Sequence, residues 1–458
     1  MRRKNAWTTY NKKQLDELEK LCKNYLKFLD KGKTERECVK QIVKQAEEKG
    51  YVNLADITKD KKALKAGDKV YSVCMDKTVA LFQIGKKKLE KGMNILGAHI
   101  DSPRMDVKQN PLYESEEFAY LDTHYYGGIK KYQWVTLPLA LHGVVVKKDG
   151  TVITVNVGED KNDPVFCVTD LLIHLAGEQM EKKANKVIEG ENLDVLVGSK
   201  PLEGKEKDAV KEGILEILKE KYDMTEEDFM SAEIEVVPAG HAREAGLDHS
   251  MVMSYGQDDR VCAYTSLAAM LEVEEVEKTT CCLLTDKEEI GSVGATGMQS
   301  RFFENSVAEL MDAMGEFSEL SLRRCLANSS MLSSDVNAAY DPLFANAFEK
   351  NNASYFGRGV VFSKFTGSRG KSGSNDANAE YIARIRKMMD KNEVCFQTAE
   401  LGKVDVGGGG TIAYLSLYGM EVIDCGVAVL NMHAPWEITS KADIYEAYKC
   451  YKVFLKEA

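Results

Sequence analysis

No stretch of this 458-residue chain approaches the ~18 consecutive apolar residues that a membrane-spanning helix needs. The opening residues, Met1-Arg2-Arg3-Lys4-Asn5-Ala6-Trp7, are not followed by an apolar core and cleavage site, so the expectation is a cytoplasmic protein. Positive charge is in deficit: 61 Lys and Arg face 72 Asp and Glu, a net charge of −11. Such a surface repels a phosphate backbone, which argues against nucleic-acid binding. The eleven cysteines are scattered and odd in number, without one Cys-x-x-Cys pair. That pattern argues against a thiolate zinc site and a disulfide framework, and favours buried, reduced thiols. The segment Gly367-Ser368-Arg369-Gly370-Lys371-Ser372 ends like a phosphate-binding loop, but the position of its first glycine is Phe365, so nucleotide binding falls away. Internal repeats and low-complexity tracts are missing too.

What remains is an ordinary globular composition, 44% hydrophobic and 29% charged, at a length that suits two or three domains. Helical spacing puts Leu15, Leu18, Cys22, Tyr25 and Leu29 on one face of a first helix, and Thr34 to Glu37 reads as a capping box for a second. Short strand-like runs follow at 69–74, 79–84 and 93–98. Between 107 and 237 the pattern changes to alternating runs (134–141, 143–146, 151–157) that read as a mostly antiparallel unit, an inserted domain. From 238 onward strands and helices alternate again, with strands at 279–285, 359–365 and 422–430 and helices at 260–275, 300–314 and 377–389. Ser440 to Asp443 reads as the cap of a last helix. The expectation is an α/β protein: a three-layer domain with a mainly parallel central sheet, built from 1–106 and 238–458 and interrupted by a smaller β-rich domain.

Chemistry gathers at five places. His99 closes an apolar run and is followed by Asp101, whose carboxylate suits the second imidazole N–H. Glu288 and Glu289 stand side by side just after a buried strand, an expensive place for two charges. Asp258 and Asp259 precede a helix, Asp335 follows a short apolar run, and His433 closes another. Each has a bland reading alone: a capped strand end, a solvated turn, a helix cap, a satisfied core histidine. Together they lie at strand ends or at the helix starts behind them, the edge where open α/β sheets collect functional groups. Two histidines, several carboxylates and no cysteine suit two divalent ions, Zn²⁺ foremost, with Co²⁺ or Mn²⁺ as alternatives.

The ordered set Gly97-Ala98-His99-Ile100-Asp101-Ser102-Pro103-Arg104, Asp258-Asp259-Arg260, Asp286-Lys287-Glu288-Glu289-Ile290-Gly291-Ser292, Ser334-Asp335-Val336 and Met432-His433 resembles the aspartyl aminopeptidase family of dizinc aminopeptidases. The resemblance implies that Asp258 bridges two zinc ions, with His99 and Asp335 on one and Glu289 and His433 on the other. It implies Glu288 as general base and Asp101 as the group that orients His99. It implies that the inserted domain mediates dimerisation, that the chain forms a homo-oligomer as large as a dodecamer, and that peptides with acidic N-terminal residues are substrates. The family's Asp-Asn pair is Asp258-Asp259 here, and the spacing favours Asp258 as the bridge. His174 resembles a histidine that one subunit's inserted domain offers to a neighbour's active site. Gly409 and Thr411 resemble a loop beside the substrate backbone. Two other readings share these residues: a dizinc carboxypeptidase or N-deacylase on a similar scaffold, and a non-catalytic assembly protein that kept the fold.

Overall fold

The computed structural model describes residues 4–371, 373–407 and 413–458. The chain forms two compact units. The first comprises Met1–Asp101, Ala242–Met432 and Glu437–Ala458; the second comprises Ser102–His241 and the short segment His433–Trp436.

In the first unit, nine strands make one sheet: β1 (Val52–Asn53), β2 (Lys69–Cys74), β3 (Thr78–Gln83), β4 (Asn94–His99), β5 (Thr280–Thr285), β6 (Ser330–Ser334), β7 (Val360–Ser363), β8 (Phe396–Thr398) and β9 (Glu421–Gly426). Their spatial order is β1-β2-β3-β5-β4-β6-β9-β7-β8. Five of the eight pairings, β1–β2, β5–β4, β4–β6, β6–β9 and β7–β8, are parallel, so the sheet is mainly parallel as the strand-helix alternation predicts. A separate five-stranded sheet in the same unit includes Met251–Ser254, Asn337–Ala338 and Glu437–Ser440.

Strand side chains alternate between faces, and both faces of the large sheet are covered. Val79 and Leu81 of β3, Cys282 and Leu284 of β5 and Leu332 of β6 enter one apolar layer. Ala80, Phe82, Cys281, Leu283 and Met331 enter the other. The first layer is completed by α1 (Lys12–Lys31), α2 (Glu35–Glu48) and α3 (Gln257–Glu272), the second by α4 (Phe302–Ala313) and α5 (Glu319–Ala327), while α6 (Ala379–Lys391) and α7 (Lys441–Glu457) join the first. Leu332 sits at the centre of the first layer with no exposed surface. Leu332→Ala is expected to destabilise the unit by about 2–5 kcal/mol, seen as a lower apparent Tm in a thermal melt.

Local signals hold in some places and yield in others. Thr34 and Glu37 form the expected reciprocal capping box on α2. On α1 the buried stripe is Leu18, Cys22, Tyr25, Phe28 and Leu29, whereas Leu15 stays 37% exposed one turn from the helix start. The run 134–141 is not one strand: Trp134 ends a 3₁₀ turn, and pairing begins at Leu139, immediately after Pro138, which has no N–H to give. The run 422–430 is two strands in different sheets, divided at Gly426. A Cβ there would lie 1.8 Å from the Asp335 carbonyl oxygen, so only glycine lets the two backbones pass. Ser440 occupies the N-cap of α7 without a side-chain bond, and Asp443 instead accepts from the N–H groups of Gly357 and Gly359 at 2.8 and 2.7 Å.

The second unit is a six-stranded antiparallel sheet in which Ala232–Pro238 pairs with Leu139–Val146 on one side and Arg104–Ser115 on the other, with one long helix, Ala209–Tyr222. No helix among the described residues is long and apolar enough to cross a membrane.

Candidate metal centre

Three neighbouring parallel strands, in the order β5-β4-β6, bring their carboxyl ends to one edge of the sheet. His99 is the last residue of β4, in register with Thr285 of β5. Asp335 directly follows β6, and Glu288 and Glu289 lie in a short 3₁₀ turn just beyond β5. Asp258 comes from the start of α3, where Asp258 and Asp259 depart from helical geometry and regular turns begin at Arg260.

These side chains converge. His99 Nε2 lies 3.2 Å from Asp258 Oδ1, 3.8 Å from Asp335 Oδ1 and 3.9 Å from Glu288 Oε2. His99, Asp258 and Asp335 offer donor atoms all within 4.8 Å of one another, and so do His99, Glu288 and Glu289. Two carboxylates at that separation repel by about 3 kcal/mol at an effective dielectric of 20, and four meet here. His99 Nε2 is buried and makes no hydrogen bond among the described residues. An oxygen-rich donor set around a buried imidazole nitrogen, with no thiolate, fits divalent cations of the zinc type, whose charge offsets the repulsion.

The protonation tendencies have the same cause. Burial first, then the charges of Asp335, Asp258 and Asp101, pushes the Glu288 carboxyl up to about 8 against a partial opposing effect of His99. Burial disfavours a charged His99, but its contacts with Asp101, Asp258 and Asp335 outweigh that and raise its proton affinity well above the usual histidine range. The side chains of Asp335 and Glu288 keep 21% and 10% of their exposure, so solvent reaches the cluster.

Asp101 has two tasks. Its Oδ1 lies 3.2 Å from His99 Nδ1, which fixes the tautomer with the lone pair on Nε2. Its two carboxylate oxygens also accept from the backbone N–H groups of Glu288 and Glu289, each at 3.2 Å. Local sequence reading finds the first task and misses the second. It also misses the supports behind Asp258. Glu437 is buried and its Oε2 accepts from the Asp258 N–H at 3.0 Å, and Gln257 Nε2 donates to the Glu437 carbonyl at 2.7 Å. Arg260, 1% exposed, donates to the carbonyls of Lys33 and Ile100 at 2.8 and 3.4 Å, holding the backbone between His99 and Asp101. The neighbouring Asp259 is fully buried and accepts from the His99 N–H at 3.4 Å, so its carboxylate serves the strand end rather than the cluster.

His433 and His174 lie in the second unit. His433 Nδ1 is 2.8 Å from the Gly128 carbonyl oxygen, a contact that leaves the Nε2 lone pair for other use. His174 is in an exposed turn, not a helix, between Ile173 and Leu175, each 68% exposed. Gly409 and Thr411 lie outside the described residues.

Comparison with known proteins adds to this geometry. Residues 28–455 match the family described as aminopeptidase I zinc metalloprotease (M18). A probable M18 family aminopeptidase 1 of Clostridium acetobutylicum is 63% identical over 454 residues, covering 99% of this chain and 98% of the relative. The crystal structure of an M18 family aminopeptidase from Thermotoga maritima superposes with a TM-score of 0.95 at 46% identity, over 100% of both chains. The S. cerevisiae mApe1 dodecamer has the same fold, with a TM-score of 0.77 at 20% identity over 96% of this chain and 97% of that one.

Proposed function

This chain belongs to the M18 family of zinc aminopeptidases, and from that premise we propose a two-ion mechanism with Glu288 as its base. The protein is a hydrolase, a zinc metalloaminopeptidase. The observation that carries the proposal is the meeting of His99, Asp258 and Asp335 beside the Glu288–Glu289 pair at one sheet edge. By the family resemblance His99 and Asp335 would hold one ion, Glu289 and His433 would hold the other, and Asp258 would be shared by both.

Bound there, zinc would polarise the scissile carbonyl and make a water molecule more acidic. Glu288 takes the proton of the attacking water and returns it to the departing amine. Such a base contributes ~10²–10⁴-fold, and burial among like charges raises the proton affinity that this role needs. Asp101 keeps Glu288 and His99 in mutual register through the contacts described above. A carboxylate of the cluster meets the free α-ammonium of the peptide, which restricts cleavage to the first residue. Acidic N-terminal residues are the preferred substrates in this reading, and eleven cysteines with no disulfide among the described residues suit the cytoplasm.

Assembly into a homo-oligomer belongs to the same proposal. Leu171, Leu172, Ile173 and Leu175 flank His174 at 54–68% exposure, an apolar patch that contact with another copy would cover and that would bring His174 to a neighbour's site.

Purified protein assayed on peptides beginning with Asp, Glu, Leu, Met or Lys should release the free N-terminal residue. A chelator should stop release and added zinc restore it. Asp or Glu should be fastest; a faster Leu or Met would remove the acidic preference alone. Cleavage only of N-blocked substrates would overturn the aminopeptidase mechanism.

A further inference from the structure

The loop that carries Glu288 and Glu289 has little packing of its own. Ile290 and Val293 at its tip are 50% and 66% exposed. Lys287, Gly291, Ser292 and Gly294 all have positive φ, two of them with side chains that disfavour it. What defines its position is its neck. Asp286, the first residue after β5, and Thr78 at the start of β3 have no exposed surface, and Thr296 on the returning limb is buried. The Asp286 N–H faces both Thr78 Oγ1 at 3.2 Å and the Thr296 carbonyl at 3.3 Å. Thr296 Oγ1 donates to Asp286 Oδ2 at 2.6 Å, and Thr78 Oγ1 donates to the Thr296 carbonyl oxygen. Lys287 Nζ sits 3.4 Å from the same Asp286 oxygen, and its methylenes run against Gly294 across the loop. Thr78, Asp286 and Thr296 supply no donor atom to the metal cluster.

We infer that Thr78, Asp286 and Thr296 form a clamp that positions the Glu288 carboxylate for proton transfer, resting on the reading of Glu288 as the base. The clamp fixes both limbs of the loop to the edge of β3, and Asp101 then needs only to hold the two N–H groups at its tip. Without it the exposed tip swings about its positive-φ residues, and a displacement of ~1 Å at the base is enough to slow proton transfer ~10²-fold. These are positioning residues: they act through Glu288 and leave substrate binding alone.

The test is Thr296→Val, which keeps shape and burial but removes the donor to Asp286, set beside Thr296→Ser, which keeps it. Thr296→Val should lower kcat about 10–100-fold at saturating zinc with KM within about threefold of the parent, and Thr296→Ser should return kcat to within about threefold. A merely structural role would lower Tm and yield while the folded fraction kept its kcat. If Thr296→Val does not fold, Thr78→Val enters the same measurements, since it removes the bridging hydroxyl and leaves the Asp286–Thr296 pair intact. Parent-like kcat in the valine variant, or a serine variant as slow as the valine one, overturns the clamp. Glu288→Gln in the same series separates the two ideas. If that variant stays active, the reading of the base is wrong; if it is dead while Thr296→Val is fully active, only the clamp is wrong.

Discussion

Glu288→Gln is expected to lower kcat by about 10³-fold or more while zinc content and KM stay close to those of the parent. The amide keeps the size of the side chain and its place beside His99, where Glu288 Oε2 is 3.9 Å from Nε2. It cannot take a proton from water, so if Glu288 is the base, as proposed, the whole contribution of a general base, ~10²–10⁴-fold, is lost. The backbone N–H of residue 288 still donates to Asp101, so the loop keeps its anchor. Folding should not suffer, because the substitution removes one of several crowded carboxylates and relieves repulsion. The separation of effects is the informative part. A metal ligand lost would show as metal lost, whereas a base lost shows only in turnover. Elemental analysis beside steady-state kinetics reads both, and a variant that has shed its zinc would move Glu288 from base to ligand.

The sequence makes the positions of the chemical groups legible because strand ends are legible. Buried parallel strands read as short apolar runs, so His99 at the end of β4 and Asp335 after β6 announce themselves by a polar residue that closes such a run. The alternation that gives a mainly parallel sheet is visible for the same reason. What the sequence does not carry is who meets whom. Asp101 accepts from a backbone 187 residues later, Glu437 supports Asp258 from 179 residues away, and Thr78 grips Asp286 across 208. None of these has a local signature: a threonine opening a strand is ordinary until its partner is placed. Helix faces are legible to within a turn, so Phe28 replaces Leu15 in the α1 stripe. Gly426 is similar, since only the passage of Asp335 beside it explains why a strand breaks there.

On the proposed two-ion reading, Asp258→Ala should remove more function than any other single change in the cluster, because a carboxylate shared by two ions would weaken both sites when it is lost. Zinc content should fall to less than half that of the parent after dialysis, and kcat/KM should drop by ~10³-fold or more, since the attacking water loses its activation. The adjacent Asp259 is the natural control. It differs by one position, yet its carboxylate is buried against the His99 backbone N–H. Burial, reinforced by Asp335 and Asp258 against the opposing effect of His99, raises the Asp259 carboxyl well above the usual range. Asp259→Asn can keep the acceptor for that N–H without a buried charge, so it should retain two zinc ions and a substantial part of its turnover. Opposite outcomes for the pair would exchange their roles: a stable two-zinc Asp258→Ala with a metal-free Asp259→Asn would make Asp259 the shared ligand and turn the start of α3 by one residue. Equal metal loss in both would mean that the strand end and the cluster form one rigid unit, in which the His99 backbone is as necessary to the metal as its ring.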